Sequence, residues 1–220
     1  GEPKPLKYFG QDLVAFRTQD GALAVLDAHC HHLGAHLGYG GKVKDDCIAC
    51  PYHGWEWNAQ GQNTRIPYQD KPINKRLRVW HVREHHDVVF MWHDPAHGEP
   101  RWEPPDIFTF LPDRPTAPED FYPAYPRATN IWPDEPVCPQ QGIENGPDTM
   151  HFRYAHNAPD DPVMLDYWTS DTSWSNVVGF KSPKTGKVAM KLRALHEGVS
   201  MAFAKFEGRN GYRLLLAHTP

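Results

Sequence analysis

Two short clusters of cysteine and histidine constrain this chain more than anything else in it. Cys30-His31-His32 and Cys50-Pro51-Tyr52-His53 are separated by seventeen residues. Each contributes one thiol and one imidazole, giving a Cys-x-His … Cys-x-x-His pattern. Cysteine sulfur suits Fe–S clusters and zinc, and imidazole suits iron, zinc and copper. Two readings follow. A Cys₂His₂ zinc site uses the same residue types, but zinc fingers usually pair cysteine with cysteine and histidine with histidine. Here each half mixes the two. A [2Fe–2S] cluster instead takes both sulfurs on one iron and both imidazoles on the other. Neutral imidazoles lower the cluster's negative charge and raise its potential, which favours accepting an electron from a low-potential donor. Cys47 keeps the zinc reading open, because Cys47-x-x-Cys50 is itself a metal-like or redox-like pair.

The flanking sequence supplies a scaffold for two such loops. Leu13 to Arg17 and Leu23 to Leu26 are short β-type runs around Asp20-Gly21, a strong hairpin signal. Val43 to Cys50 reads as strand, tight turn, strand, and delivers the second cluster. Trp55 to Asn58 and Gln62 to Arg65 form a hairpin across Ala59-Gln60-Gly61, and Leu77 to Val82 and Val88 to His93 are two more strands. The expectation is a small all-β domain over residues 1–95 with two ligand loops at one tip, since rigid scaffolds commonly carry function on their loops.

Composition changes after His93. Twelve of the 22 prolines fall between Pro95 and Pro139. Proline fixes φ and removes a donor, so residues 96–115 are expected to be an extended linker, clamped by aromatic packing. Residues 116–220 then read as one helix-like segment followed by strands near 168–180, 188–195, 199–206 and 212–218, with turns at Lys184-Thr185-Gly186 and Gly208-Arg209-Asn210-Gly211. The fold class is α+β, an all-β domain followed by antiparallel sheet with helices. Forty per cent hydrophobic and 23% charged residues describe an ordinary globular chain, and a net charge of −4 gives no reason to expect nucleic acid. Four cysteines do not make a disulfide framework, so a reducing compartment, the cytoplasm, is expected. Both ends look cut: the first residues already run into a strand, and the last stop just after an apolar one.

The helix-like segment, Glu144 to His156, carries a second constellation. Pro147 suits a first helical turn, with Asn145 or Gly146 as cap. His151 and His156 with a carboxylate would form a 2-His-1-carboxylate site, which leaves positions open for O₂ on Fe(II). Five residues at about 100° each turn His156 roughly 140° from His151 in a regular helix. A π-bulge or a break near Phe152 to Ala155 is therefore expected. Asp148 and His151 stand three apart, and a carboxylate there can hydrogen-bond a metal-bound imidazole.

Leu33-Gly34-Ala35-His36-Leu37-Gly38, Cys50-Pro51-Tyr52-His53-Gly54-Trp55-Glu56-Trp57 and the pattern Glu144-x₃-Asp148-x₂-His151-x₄-His156 resemble the Rieske non-haem iron oxygenases. The first stretch through Gly41, Ile66-Pro67-Tyr68 and Glu144 to Phe152 look most like the branch with 3-ketosteroid 9α-hydroxylase and the cholesterol 7-desaturases. The resemblance implies that Cys30, His32, Cys50 and His53 hold the [2Fe–2S] cluster and that His151 and His156 hold a mononuclear Fe(II). It makes His31 and His36 non-ligands and leaves Cys47 a buried thiol at a strand end. Asp148 becomes the catalytic carboxylate linking a cluster histidine of an adjacent subunit to the iron-bound histidine, within a head-to-tail homotrimer. The catalytic domain is then of helix-grip type and truncated, because the third iron ligand is an Asp beyond Pro220; Asp160, Asp161 and Asp166 do not match it. The implied function is the terminal oxygenase component of a Rieske monooxygenase. Such a component takes NAD(P)H-derived electrons from a reductase or ferredoxin, and hydroxylates or desaturates an apolar small molecule, a steroid, with O₂. Two other readings stand beside it: the alpha subunit of an aromatic-ring-hydroxylating dioxygenase, and a Rieske-type electron carrier without chemistry of its own.

Overall fold

A computed structural model describes residues 1–108, 119, 126–132, 136–207 and 213–218. The chain forms two compact units, Gly1–Arg101 and Trp102–Pro220. Most of the proline-rich stretch, and the turn expected at 208–211, lie outside the described residues.

In the first unit β1 (Lys4–Tyr8), β2 (Gln11–Arg17) and β3 (Leu23–Asp27) make an antiparallel sheet in chain order. A second sheet contains β4 (Lys42–Lys44), β5 (Cys47–Ala49), β6 (Glu56–Asn58) and β7 (Asn63–Arg65), again in chain order, and β8 (Val82–His85) pairs with β9 (Val88–Met91). The β2–β3 hairpin closes at the expected place. Gly21, at φ +89°, donates its N–H to Thr18 O at 3.0 Å, and Asp20 Oδ1 accepts from Ala22 N–H at 3.2 Å.

The two strands of that hairpin are apolar on both faces for a reason. Val14, Phe16, Ala24 and Leu26 enter one core with Leu37, Ile48, Trp57, Ile66 and Leu77. Leu13 and Val25, the alternate residues, enter another with Trp80. Side chains alternate along a strand, so a hairpin between two cores must be apolar throughout. Trp80 is pinned from its rim: its indole N–H donates to Asp27 Oδ1 at 2.9 Å, and the Arg78 guanidinium lies 4.0 Å over the ring.

The strand expected from Leu77 to Val82 does not form as one. Leu77 N–H bonds Gly61 O at 2.8 Å, Arg78 O accepts from Asp27 N–H at 3.0 Å, and Trp80 N–H bonds Val25 O at 2.9 Å. The segment crosses from one sheet to the other, spending single bonds on each, and a ladder begins only at Val82.

In the second unit β10 (Val163–Thr169), β11 (Ser173–Lys181), β12 (Val188–Glu197), β13 (Met201–Glu207) and β14 (Arg213–Ala217) form one antiparallel sheet in chain order. The single strand expected over 168–180 is two, because Ser170 N–H bonds Ser173 O at 2.7 Å and turns the chain there. The helix expected over 144–156 forms only as α2 (His151–Tyr154); a separate α1 (Pro139–Glu144) ends where it was to begin, with Pro147 in the turn between them. Proline disfavours helical backbone in the residue before it and supplies no N–H, which ends the first helix rather than starting the second.

One face of the sheet is covered by this helical segment. Phe152 and Ala158 pack on Val178, Phe180 and Leu192, with Phe152 edge-on to Phe180 at 5.3 Å. Further along the same face His196 is 5% exposed and stacks on Trp174, centroids 4.1 Å apart and 3° from parallel. Burial pushes His196 from 6.5 down to about 4. Its unfolded form protonates first, so the stability it contributes is present above about pH 6.5 and is lost as pH falls towards 4. We expect the stability of this unit to drop by about 2 kcal/mol between neutral pH and about pH 5 through this one group. Chemical denaturation at the two pH values will show that His196→Phe flattens the slope by that amount.

Candidate metal centres

The two cysteine loops are built the same way. Cys30 N–H donates to Ala35 O at 2.9 Å, and Gly34 N–H donates back to Cys30 O at 2.9 Å. Cys50 N–H donates to Trp55 O at 2.8 Å, and Gly54 N–H donates back to Cys50 O at 3.0 Å. Each loop therefore closes on its own cysteine with one bond spanning five residues and one spanning four. The tight reversal requires a left-handed residue, and Gly34 and Gly54 supply it at φ +74° and +70°. Both loops leave strand ends, the first after β3 and the second after β5.

This closure buries both sulfurs, Cys30 at 2% and Cys50 at 5% exposure. The imidazoles sit one position out of step, on the second residue after Cys30 and the third after Cys50, yet they meet. His32 is edge-on to His53 with centroids 4.6 Å apart. The His32 ring lies flat on the Trp55 indole, also at 4.6 Å and 4° from parallel, and Trp55 is in turn fixed by donating to the Tyr68 hydroxyl at 2.7 Å.

The surroundings suit a sulfur-rich cluster. Burial pushes the Cys30 thiol up, opposed by the His32 N–H and by the Trp57 indole N–H. That indole nitrogen is buried and meets no nitrogen or oxygen acceptor, which leaves its N–H to the Cys30 sulfur. A bound metal would displace the proton of such a thiol to solvent and stabilise the buried thiolate with its own positive charge. A single zinc fits less well. Tetrahedral bonds of about 2.0–2.3 Å bring donor atoms close together. Among the described residues no three of Cys30, Cys47, Cys50, His32 and His53 offer donors within 4.8 Å of one another. Cys47 is half-buried at the start of β5, with its sulfur 3.4 Å from the Thr64 hydroxyl. His36 has its Nδ1 occupied by the Gly38 N–H at 3.0 Å, and burial lowers its pKa, helped by His29. His31 is exposed, edge-on to Trp57.

In the second unit α2 ends at Tyr154, and Asn157 takes φ +54° beyond it. The break falls between His151 and His156, where the spacing required one. Their rings come together edge-on with centroids 5.3 Å apart. His151 Nδ1 lies 2.5 Å from Asp148 O. A carbonyl only accepts, so Nδ1 carries the proton and Nε2 is left with a lone pair for a metal. It is thus the Asp148 main chain, not its carboxylate, that meets His151; the carboxylate accepts from Met150 N–H at 3.0 Å and is exposed. Among the described residues no carboxylate joins the two rings within 4.8 Å. Asp161 pairs with Arg153, and Asp166 lines a cleft with Ser175 and Arg193. Sequence reasoning missed the supporting roles of Trp55, Trp57 and Tyr68, although all three stand inside the stretches that carried the resemblance.

Residues 1–85 match the Rieske [2Fe-2S] domain family, and residues 91–220 match the 3-ketosteroid 9alpha-hydroxylase C-terminal domain family. The oxygenase component of a 3-ketosteroid-9-alpha-monooxygenase from Rhodococcus rhodochrous is 45% identical over 101 residues, 46% of this chain and 26% of that protein. A cholesterol 7-desaturase from Hemicentrotus pulcherrimus is 33% identical over 165 residues, 72% of this chain and 33% of that protein. A crystal structure of dicamba monooxygenase bound to dicamba shares the fold at TM-score 0.64 and 19% identity, over 100% of this chain and 69% of that one. The chain spans well under half the length of the curated relatives it matches. No helix among the described residues is long and apolar enough to cross a membrane.

The loop geometry makes a graded expectation. At Gly34 an added Cβ meets nothing within 4 Å, so Gly34→Ala costs only the left-handed backbone, about 1–2 kcal/mol. At Gly54 the Cβ would also come within 2.9 Å of Pro67 Cγ. Thermal melts followed by cluster absorbance will show Gly54→Ala losing more stability than Gly34→Ala.

Proposed function

Because the chain belongs to the family in which a Rieske [2Fe-2S] domain precedes a 3-ketosteroid 9alpha-hydroxylase C-terminal domain, we propose that it is part of a Rieske oxygenase component acting on a steroid. On this reading residues 1–95 hold the cluster, 96–115 connect, and 116–220 begin the mononuclear-iron domain. Cys30, Cys50, His32 and His53 hold the [2Fe–2S] cluster, and His151 and His156 hold Fe(II). Bound there, the cluster supplies single electrons and the iron supplies O₂ activation for hydroxylation or desaturation of a C–H bond.

The chain's own residues prepare that chemistry. Two buried sulfurs, one of them facing the Trp57 indole N–H, favour a bound cluster over an empty site. Trp55, held by Tyr68, fixes the plane of His32. The Asp148 carbonyl fixes the tautomer of His151, which presents Nε2, the usual outer-sphere task at a metal-bound imidazole. The exposed Asp148 carboxylate is free to bridge to a histidine of a neighbouring copy, as a homotrimer would place it. A reductase or ferredoxin donor, an apolar steroid substrate and a cytoplasmic, reducing setting complete the reading; all four cysteines are free thiols. The single observation that carries it is the convergence of two separate donor sets in one chain, the cysteine loops closed by main-chain bonds and the His151 ring held by the Asp148 carbonyl.

The test uses the full-length protein with a reductase, NADH and a panel of 3-ketosteroids and sterols. Red-brown absorbance, acid-labile sulfide, ferrous iron in excess of the cluster, and an oxygenated or desaturated product are expected. A colourless protein that binds zinc would overturn the proposal. Asp148→Asn should leave the cluster spectrum intact while lowering turnover by about 10–100-fold, and unchanged turnover would remove Asp148 from its role.

A further inference from the structure

The iron motif rests on the sheet at two points of a single strand face. Downstream of His151, Phe152 packs edge-on against Phe180 of β11. Upstream, the side-chain amide of Asn176, also on β11, donates to Gly146 O at 2.7 Å. Asn176 and Phe180 are four apart in a strand and so share a face. Asn176 is 3% exposed, and its bond joins residues thirty apart in the chain.

The backbone at Gly146 sits directly on the stacked Trp174 and His196 rings. A Cβ built there would come within 2.2 Å of Trp174 Cη2 and 3.0 Å of His196 Nε2. Only glycine allows this approach. From Gly146 onward little slack remains. Pro147 has a fixed φ, the Asp148 carboxylate accepts from Met150 N–H, and the Asp148 carbonyl takes the His151 ring. A shift at Gly146 is handed on to His151.

We propose that Trp174, Asn176 and His196 form a seat for the Gly146–His151 turn, with Asn176 as a positioning residue for ferrous-iron binding at His151. This rests on the proposed function for the identity of the metal, but not for the seat itself. Asn176→Leu keeps the branching and the number of side-chain heavy atoms and removes the donor. Gly146→Ala lifts the turn off the rings from the other side. Two unlike lesions should give one phenotype.

The experiment uses the full-length holoprotein and reads three quantities: ferrous-iron affinity by titration, the visible spectrum of the cluster, and hydrogen exchange of amides 148–151. Asn176→Leu and Gly146→Ala should each weaken iron binding by about tenfold or more, speed exchange in 148–151, and leave the cluster spectrum unchanged. Trp174→Phe in the Gly146→Ala background, which removes Cη2, should recover affinity. Affinity within about twofold of the parent in Asn176→Leu, or exchange unaltered in that variant, overturns the proposal. Should Asn176→Leu fail to fold, the Gly146→Ala and Trp174→Phe pair decides it, and absence of recovery counts against the seat. A parent protein that takes up no ferrous iron refutes the proposed function instead, and the exchange measurement then settles the seat alone.

Discussion

Everything in the first unit answers to the closure of two loops by their own main chain. Cys30 and Cys50 each give up both backbone groups to residues four and five places on. Buried backbone groups have to be paired, so these bonds allow a sulfur to sit below the surface without a strand around it. The rest of the unit supplies ends for these loops to leave from and a floor to leave over. Trp57 and Ile48 are fully buried beneath them. The second unit solves a similar problem differently, placing His151 and His156 on either side of a helix end and relying on contacts with the sheet to hold them.

The two donor sets differ in how much of their geometry the chain fixes by itself. In the cysteine loops the sulfurs, the imidazoles, the closing bonds and the flanking aromatics are all local. At His151 the tautomer is settled by the Asp148 carbonyl, yet the rings stay partly or fully exposed, and no acidic group among the described residues joins them.

Much of this was legible in the sequence. The mixed Cys-x-His and Cys-x-x-His spacing pointed to a two-iron cluster, and Asp20-Gly21 to a hairpin. The angular mismatch between His151 and His156 demanded a broken helix, and the break falls where it was needed. What stayed hidden involved partners far away in the chain. Leu77 to Val82 has the look of a strand, but its hydrogen bonds go to two different sheets. Pro147 is as compatible with a helix start as with a turn, and it lies in the turn between two short helices. Asp148 sits three residues from His151, which suggested a carboxylate contact; the carbonyl of the same residue is nearer. Asn176 and Gly146 are thirty residues apart, and no periodicity connects them.

The β2–β3 hairpin, lined on one side by Val14 and Leu26 and on the other by Leu13 and Val25, belongs to both cores of the first unit at once. Neither core can open while the other stays intact, because they share the same two strands. The unit should behave as one foldon, with no partial unfolding that exposes the sulfurs while sparing the Trp80 end. Damage remote from the cysteine loops therefore reaches them only through loss of the whole unit, and a red-brown protein is one whose entire first unit is folded.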